Sequence, residues 1–317
     1  MVQPRLSAAE SAVLTRRITL ASTGVALLLV TLKALVWAMS GSIALLASAA
    51  DSALDLLASL VTFFAVRYAA SPPDAEHRFG HGKAEAFASL MQGGLVFASA
   101  ALVGREAVMG LIDPQPVRQE GLAVIVMAVS TVLTFGLISA QGWVLKRTAS
   151  VAVAGDRAHY ATDLASNIAA LVGIAAAAWL GLAGLDALAA LVVTGLLLWG
   201  AIGVFREAAN QLMDHELPHE ERERIKALVT HDPALTDVHQ LRTRASGPYV
   251  HMQMHVDLDP ALSLEQAHAA VVAAEKRILA EFPSADIIIH PDPRGAAEPH
   301  GGAFAETALG KRGLNED

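Results

Sequence analysis

Long apolar blocks separated by short polar breaks fill the first two thirds of the chain. Six such blocks cover residues 18–39, 43–66, 84–111, 121–145, 151–180 and 185–205. Each reaches the roughly 20 residues that a helix needs to cross a bilayer core. The breaks carry Gly, Pro or charge, as in SGS at 40–42, DPQP at 113–116 and GLAG at 181–184, and these residues end helices. The pattern changes after residue 205. A charged stretch at 219–230 with Pro218 before it reads as a helix. Residues 237–244 and 249–258 read as strands around a Ser-Gly-Pro turn, and YVHMQMHVDL alternates with the period of a half-buried strand. Residues 263–281 form an amphipathic helix with Ser263 as N-cap and Glu265 in its first turn, and 285–290 a last strand. The predicted fold is an all-α six-helix transmembrane bundle followed by a small α+β domain of order α-β-β-α-β, with helices on one face of a sheet. The expected divisions are an N-terminal segment at 1–15, the bundle at 16–208, the second domain at 209–292 and a disordered tail, rich in Gly and charge, at 293–317.

Composition agrees with this reading. Of 317 residues, 54% are hydrophobic, and the mean hydropathy is +0.44, more apolar than a soluble chain of this length. The net charge of −8 lies mostly in the C-terminal third and does not suggest a nucleic-acid partner. The polar start lacks the cleavage pattern of a secretory signal, so the first block is expected to be a retained helix. Lys and Arg set the expected orientation. Arg5, Arg16, Arg17, Arg67, Arg78, Lys83, Lys146, Arg147, Arg157 and Arg206 fall on one side, against Arg118 and Arg105 on the other. Both termini are therefore expected in the cytoplasm.

Charge inside the membrane carries the chemistry. An ionisable residue in a spanning helix costs about 2.5–3.5 kcal/mol on insertion scales and calls for a function. The second block holds Asp51 and Asp55, the fifth His159 and Asp163. Each pair is spaced i, i+4 and projects from one helix face. Opposed, the two faces bring three carboxylates and an imidazole together, a four-ligand set that suits Zn²⁺. The chain has no cysteine, so thiolate ligation is excluded. Mutual repulsion lets the carboxylates hold either protons or a metal, which makes metal/proton exchange the natural chemistry of the set. Lys33, deep in the first block, either snorkels or pairs with an Asp.

Two further groups stand out. In the loop SPPDAEHRFGHGKAE, Asp74, His77 and His81 are close enough to share an ion, with Gly80 and Gly82 allowing a tight fold; a solvated polar loop is the alternative. The C-terminal domain holds His231, His239, His251, His255, His268, His290 and Asp292, a density that favours a metal cluster. By contrast HELPH at 215–219 matches the zinc-protease pattern only literally, because Pro218 breaks the helix that the pattern needs.

The DxxxD of Asp51/Asp55, the HxxxD of His159/Asp163, FGHGKAE at 79–85, LRTRxSGP at 241–248, QAH at 266–268 and IIIHxDP at 287–293 together resemble the cation diffusion facilitator family, over nearly all of residues 10–292. The resemblance implies a homodimeric metal/proton antiporter of the bacterial inner membrane that works by alternating access, with a metallochaperone-like cytoplasmic domain. It implies a transport site at Asp51, Asp55, His159 and Asp163 and a loop site at Asp74, His77 and His81. It further implies a two-metal C-terminal site at His239, His255, His268, His290 and Asp292, and an inter-protomer salt bridge between Lys83 and Asp214. Departures are Pro291, which offers no side-chain ligand, the additional His251, and Ala158, smaller than the family residue before the histidine. The expected cargo is zinc, with Cd²⁺, Fe²⁺ or Co²⁺ as chemical alternatives. A membrane metal sensor that does not transport is the rival reading. An exporter of organic cations would need a wider aromatic lining than the Ala, Ser and Leu around Asp51, and an intramembrane hydrolase lacks a nucleophile and base.

Overall fold

The computed structural model describes residues 6–40, 43–112, 121–180 and 185–295. The chain divides into two compact units, Ala8–Met213 and a second that begins at Asp214.

The first unit is built from six long helices: α1 (Ala8–Ser40), α2 (Ile43–Ala69), α3 (Ala84–Ile112), α4 (Gly121–Thr148), α5 (Val151–Leu180) and α6 (Leu185–Leu212). Helix α1 begins well before the apolar block at 18–39. The added turns carry a buried seam of Ser11, Thr15, Thr19 and Ser22. These hydroxyls bond within the helix, Thr15 to the Ser11 carbonyl at 2.8 Å and Thr19 to that of Thr15 at 3.0 Å. Helix α6 likewise continues past residue 205 to Leu212, burying Ala208 and Gln211. Hydropathy marks the apolar stretch of a helix, whereas its ends are set by packing.

Helix α1 packs on α2 and α4, α3 on α5 and α6, and α5 on α2, α4 and α6. The interior inverts the soluble pattern. Buried positions are small or polar, among them Ala26, Ala58, Ala100, Ser59, Thr62, Ser89, Gln92 and Gln141, while Leu54, Phe64, Leu102, Phe135 and Trp199 face outward. Lipid solvates the large apolar groups, so helices associate through small residues and buried hydrogen bonds. Gly155 shows how close the approach is: a Cβ there would lie 3.0 Å from the Ser89 Cα of α3. Among the described residues, four helices are long and apolar enough to cross a membrane, over Ala8–Met39, Ser48–Ala69, Ala84–Met109 and Ile125–Thr148.

The second unit contains α7 (His219–Val229), β1 (Val238–Ser246), β2 (Tyr249–Leu258), α8 (Leu264–Glu281) and β3 (Ala285–Pro293). Its sheet has the order β1-β2-β3; β1 and β2 are antiparallel, β2 and β3 parallel and linked through α8. Ser263 caps α8 in a reciprocal box with Gln266, which satisfies two of the free donors at the helix start. Met252, Met254, Val256 and Leu258 of β2 join Ile225, Val229, Val271, Ala274, Ile278 and Phe282 in one core. The alternate residues of β2, including His255 and Asp257, therefore point to the opposite face. Strand β3 runs past the expected end at 290 and includes Pro293, and the Arg294 N–H donates to the Leu258 carbonyl at 2.8 Å. The tail expected from 293 thus starts no earlier than the end of this strand, and its residues 296–317 lie outside those described.

Candidate metal centres

Helices α2 and α5 pack against each other and bring the two i, i+4 pairs together. The His159 Nε2 lies 3.0 Å from Asp55 Oδ1 and 3.8 Å from Asp163 Oδ2. Ligand atoms of Asp55, His159 and Asp163 all fall within 4.8 Å of one another. The imidazole is only 5% exposed. Asp51 stands apart from this tight group, but lines the same cavity of about 190 Å³ as Asp55 and Asp163, together with Lys33, Ser52, Ser130, Thr134 and Asn167. The walls are thus acids, hydroxyls and an amide, the hard and borderline donors that suit a hydrated or partly dehydrated divalent cation.

One buried acid that the spacing argument missed lies a turn before His159. Asp156 is 1% exposed. Its Oδ2 accepts from Gln141 of α4 at 2.8 Å, and its Oδ1 from Gln92 of α3 at 3.3 Å and Ser59 of α2 at 3.5 Å. Gln141 also donates to Ser22 of α1 at 3.1 Å, and Tyr160 links Ser59 to the Ser22 carbonyl. Five helices meet on this network. The available signal was a third acid in the run GDRAHYATD, but no partner spaced along the sequence points to it.

The loop after α2 folds tightly. The Asp74 Oδ1 accepts from the backbone N–H groups of His77 at 2.6 Å and Glu76 at 2.9 Å, a turn closed by its own side chain. His77 Nδ1 lies 3.2 Å from Asp74 Oδ1 and His81 Nε2 3.3 Å from Asp74 Oδ2. Gly80 takes φ +78°, and so carries the chain back without a Cβ penalty. The His77 N–H is the main cause holding the Asp74 carboxyl below its ordinary 3.8; the Glu76 N–H and the His77 ring add to it. A depressed carboxyl contributes stability above the unfolded value of about 4 and loses it as pH falls below. Asp74→Asn keeps an oxygen for both N–H groups but removes the charge. It is expected to weaken zinc binding at this loop about 10–100-fold with the turn intact, whereas Asp74→Ala loses both. Calorimetry with amide exchange across 74–81 checks this, and wild-type affinity in the Asn variant would exclude Asp74 as a ligand.

On the open sheet face His239, His255 and His290 lie in one row across the three strands, and Asp257 is paired with Asp292 in the next. Ligand atoms of His239, His255 and Asp292 fall within 4.8 Å of one another. The Asp292 carboxylate lies 2.8 Å from His255, 3.4 Å from His239 and 3.3 Å from His290. Asp257, not singled out in the sequence, stands 3.4 Å from His239; its i+2 spacing from His255 was the signal. His268 is exposed on α8 and does not join this group within one chain. His251 sits outside the group and pairs with Asp286 at 3.1 Å. Lys83 and Asp214 fall in different units. Within its own unit the Lys83 Nζ donates to the Leu212 carbonyl at 3.3 Å, and Asp214 pairs with Arg244 at 3.1 Å. Residues 215–218 lie outside any helix, so HELPH cannot present two histidines on one helix face.

Comparison with known proteins reaches both units. The family profile described as the cation efflux transmembrane domain matches residues 19–213, and that of the cation efflux protein cytoplasmic domain matches 217–294. The cation-efflux pump FieF of Escherichia fergusonii is 39% identical over 291 residues, 92% of this chain and 97% of that protein. FieF of Pectobacterium carotovorum subsp. carotovorum is 41% identical over 284 residues, 89% of this chain and 94% of that protein. A solved structure described as a candidate zinc transporter, CzrB, in its zinc form shares 31% identity over 27% of this chain and 98% of that one, with a TM-score of 0.25.

Proposed function

This chain belongs to the cation efflux family, and from that premise we propose that it exports a divalent transition metal, Zn²⁺ first, in exchange for protons. The observation that carries the reading is the buried meeting of Asp55, His159 and Asp163 between α2 and α5. These side chains, with Asp51 on the cavity wall, are the proposed transport site. A metal reaching the site replaces protons on the carboxylates and the imidazole, and protons arriving from the far side release it. Alternating access follows if the bundle rocks around a fixed site, as is common in secondary transporters.

All six helices are proposed to span the bacterial inner membrane. The Lys and Arg bias puts both termini in the cytoplasm. The proposed divisions are residues 1–15, 16–208 and 209–292. Asp74, His77 and His81 are proposed as a loop metal site. His239, His255, His290 and Asp292 are proposed as a C-terminal site that a second copy completes with His268, and Lys83 with Asp214 as a salt bridge across that homodimer. Fe²⁺, Cd²⁺ and Co²⁺ fit the same donors. The protein moves ions and catalyses no covalent change.

Reconstitution into vesicles that trap a zinc-sensitive dye tests the proposal. Zinc uptake that rises with an imposed proton gradient and collapses with a protonophore supports antiport. Intact zinc binding without flux would replace it with the sensor reading.

A further inference from the structure

Lys33 is the one cation among the described residues that line the metal cavity. It stands on α1, which packs against α2. Its Nζ donates to Ser52 Oγ at 2.7 Å, and the Ser52 side chain is buried, 1% exposed. The ammonium is therefore held in place, next in sequence to Asp51, rather than swinging out to the membrane surface. Its charge acts on both Asp51 and Asp163.

Charge balance gives this placement a consequence. Asp51, Asp55 and Asp163, ionised around a neutral His159, leave the empty cavity with three negative charges. A dication alone leaves one negative charge behind. With a fixed ammonium the sum for a bound dication is zero, and the emptied cavity is partly neutralised.

We propose that Lys33 is a resident counter-cation that weakens metal binding at the transport site enough for release and sets the site to the charge of a divalent ion. The inference rests on the transport-site reading above. Lys33 touches no metal in this scheme; it acts through the field that it adds to the carboxylates, and Ser52 positions it.

The sign of the effect separates this role from a structural one. A lysine needed only for packing or for the Ser52 bond would, when replaced, loosen the site and lower affinity. A counter-cation would, when neutralised, raise affinity and slow release. Zinc titrations of purified full-length protein are read as the component of the isotherm that Asp51→Ala abolishes, since the loop and C-terminal sites also bind. Lys33→Met is expected to bind about tenfold tighter or more, from one unit charge removed nearby at intermediate dielectric, and to turn over more slowly in vesicles. Lys33→Glu is expected to bind tighter still, and Lys33→Arg to bind as wild type. Unchanged or weaker binding in Lys33→Met, with the Asp51→Ala control behaving as expected, overturns this inference alone. An isotherm that Asp51→Ala leaves unaltered overturns the transport site, and this inference with it.

Discussion

Alanine in place of His159 is expected to lower zinc flux through reconstituted protein at least about 100-fold, since losing an outer-shell partner already costs about 10–100-fold in metal affinity. The imidazole is the sole nitrogen donor in the group, and its Nε2 faces acids on both helices, Asp55 at 3.0 Å and Asp163 at 3.8 Å. Without it the two carboxylates confront each other across a gap that neither bridges, and the softer donor that favours zinc over calcium or magnesium is gone. His159→Asp supplies an oxygen in its place. That variant is expected to retain some ion binding but to shift preference away from zinc toward harder divalent ions. Initial uptake rates with zinc, cadmium and manganese check both variants. Zinc flux in the alanine variant close to that of wild type would remove His159 from the ligand set and leave the transport site without its nitrogen.

The helical bundle was legible because its solvent imposes a coarse rule. Lipid demands about 20 apolar residues per crossing, and those runs stand out without any long-range information. The starts and ends of α1 and α6 were not legible, because the seam of Ser11, Thr15, Thr19 and Ser22 and the small residues of α6 look polar or neutral until packing buries them. In the second unit, β2 was visible to the residue because its alternation is complete. Strand β3 was read short because Pro291 and Pro293 suggest a stop, whereas proline is tolerated on an edge strand, and β3 is an edge of this sheet.

The candidate sites divide along the same line. Pairs at i, i+4 on a helix, or His and Asp within one loop, declare themselves by local spacing. Asp55 with His159, or Asp74 with His81, needed only the right two segments to meet. Asp257 and Asp156 gain their partners from strand register and from four other helices, and no spacing rule reaches that far. The sequence also joined Asp51 to its neighbours on equal terms, whereas in the structure it lies on the cavity wall rather than in the tight group. An i, i+4 pair shares a face, but helix crossing decides which member stands closer.

The second large effect is expected at Asp156, where Leu should lower the thermal midpoint of the detergent-solubilised protein by about 10 °C. Leucine fits the space but accepts no hydrogen bond. The amides of Gln141 and Gln92 and the Ser59 hydroxyl now share that carboxylate, and each buried donor that loses its acceptor costs about 1–3 kcal/mol. The loss is partial, because Gln141 keeps Ser22, Gln92 keeps Thr62 and the Ala58 carbonyl, and Ser59 keeps Tyr160. Asp156→Asn is the informative companion. Its remaining oxygen still accepts from Gln141, and its amide can donate to Gln92 Oε1 or Gln141 Oε1, both without a partner in the network. Asn should therefore stay within a few degrees of wild type while Leu does not. Transport should follow the same order, because the network fixes α5 against α2, α3 and α4 one turn from His159, and a small rotation of α5 separates Nε2 from Asp55. A leucine variant that melts and transports like wild type would mean that the bundle holds His159 in place through packing alone.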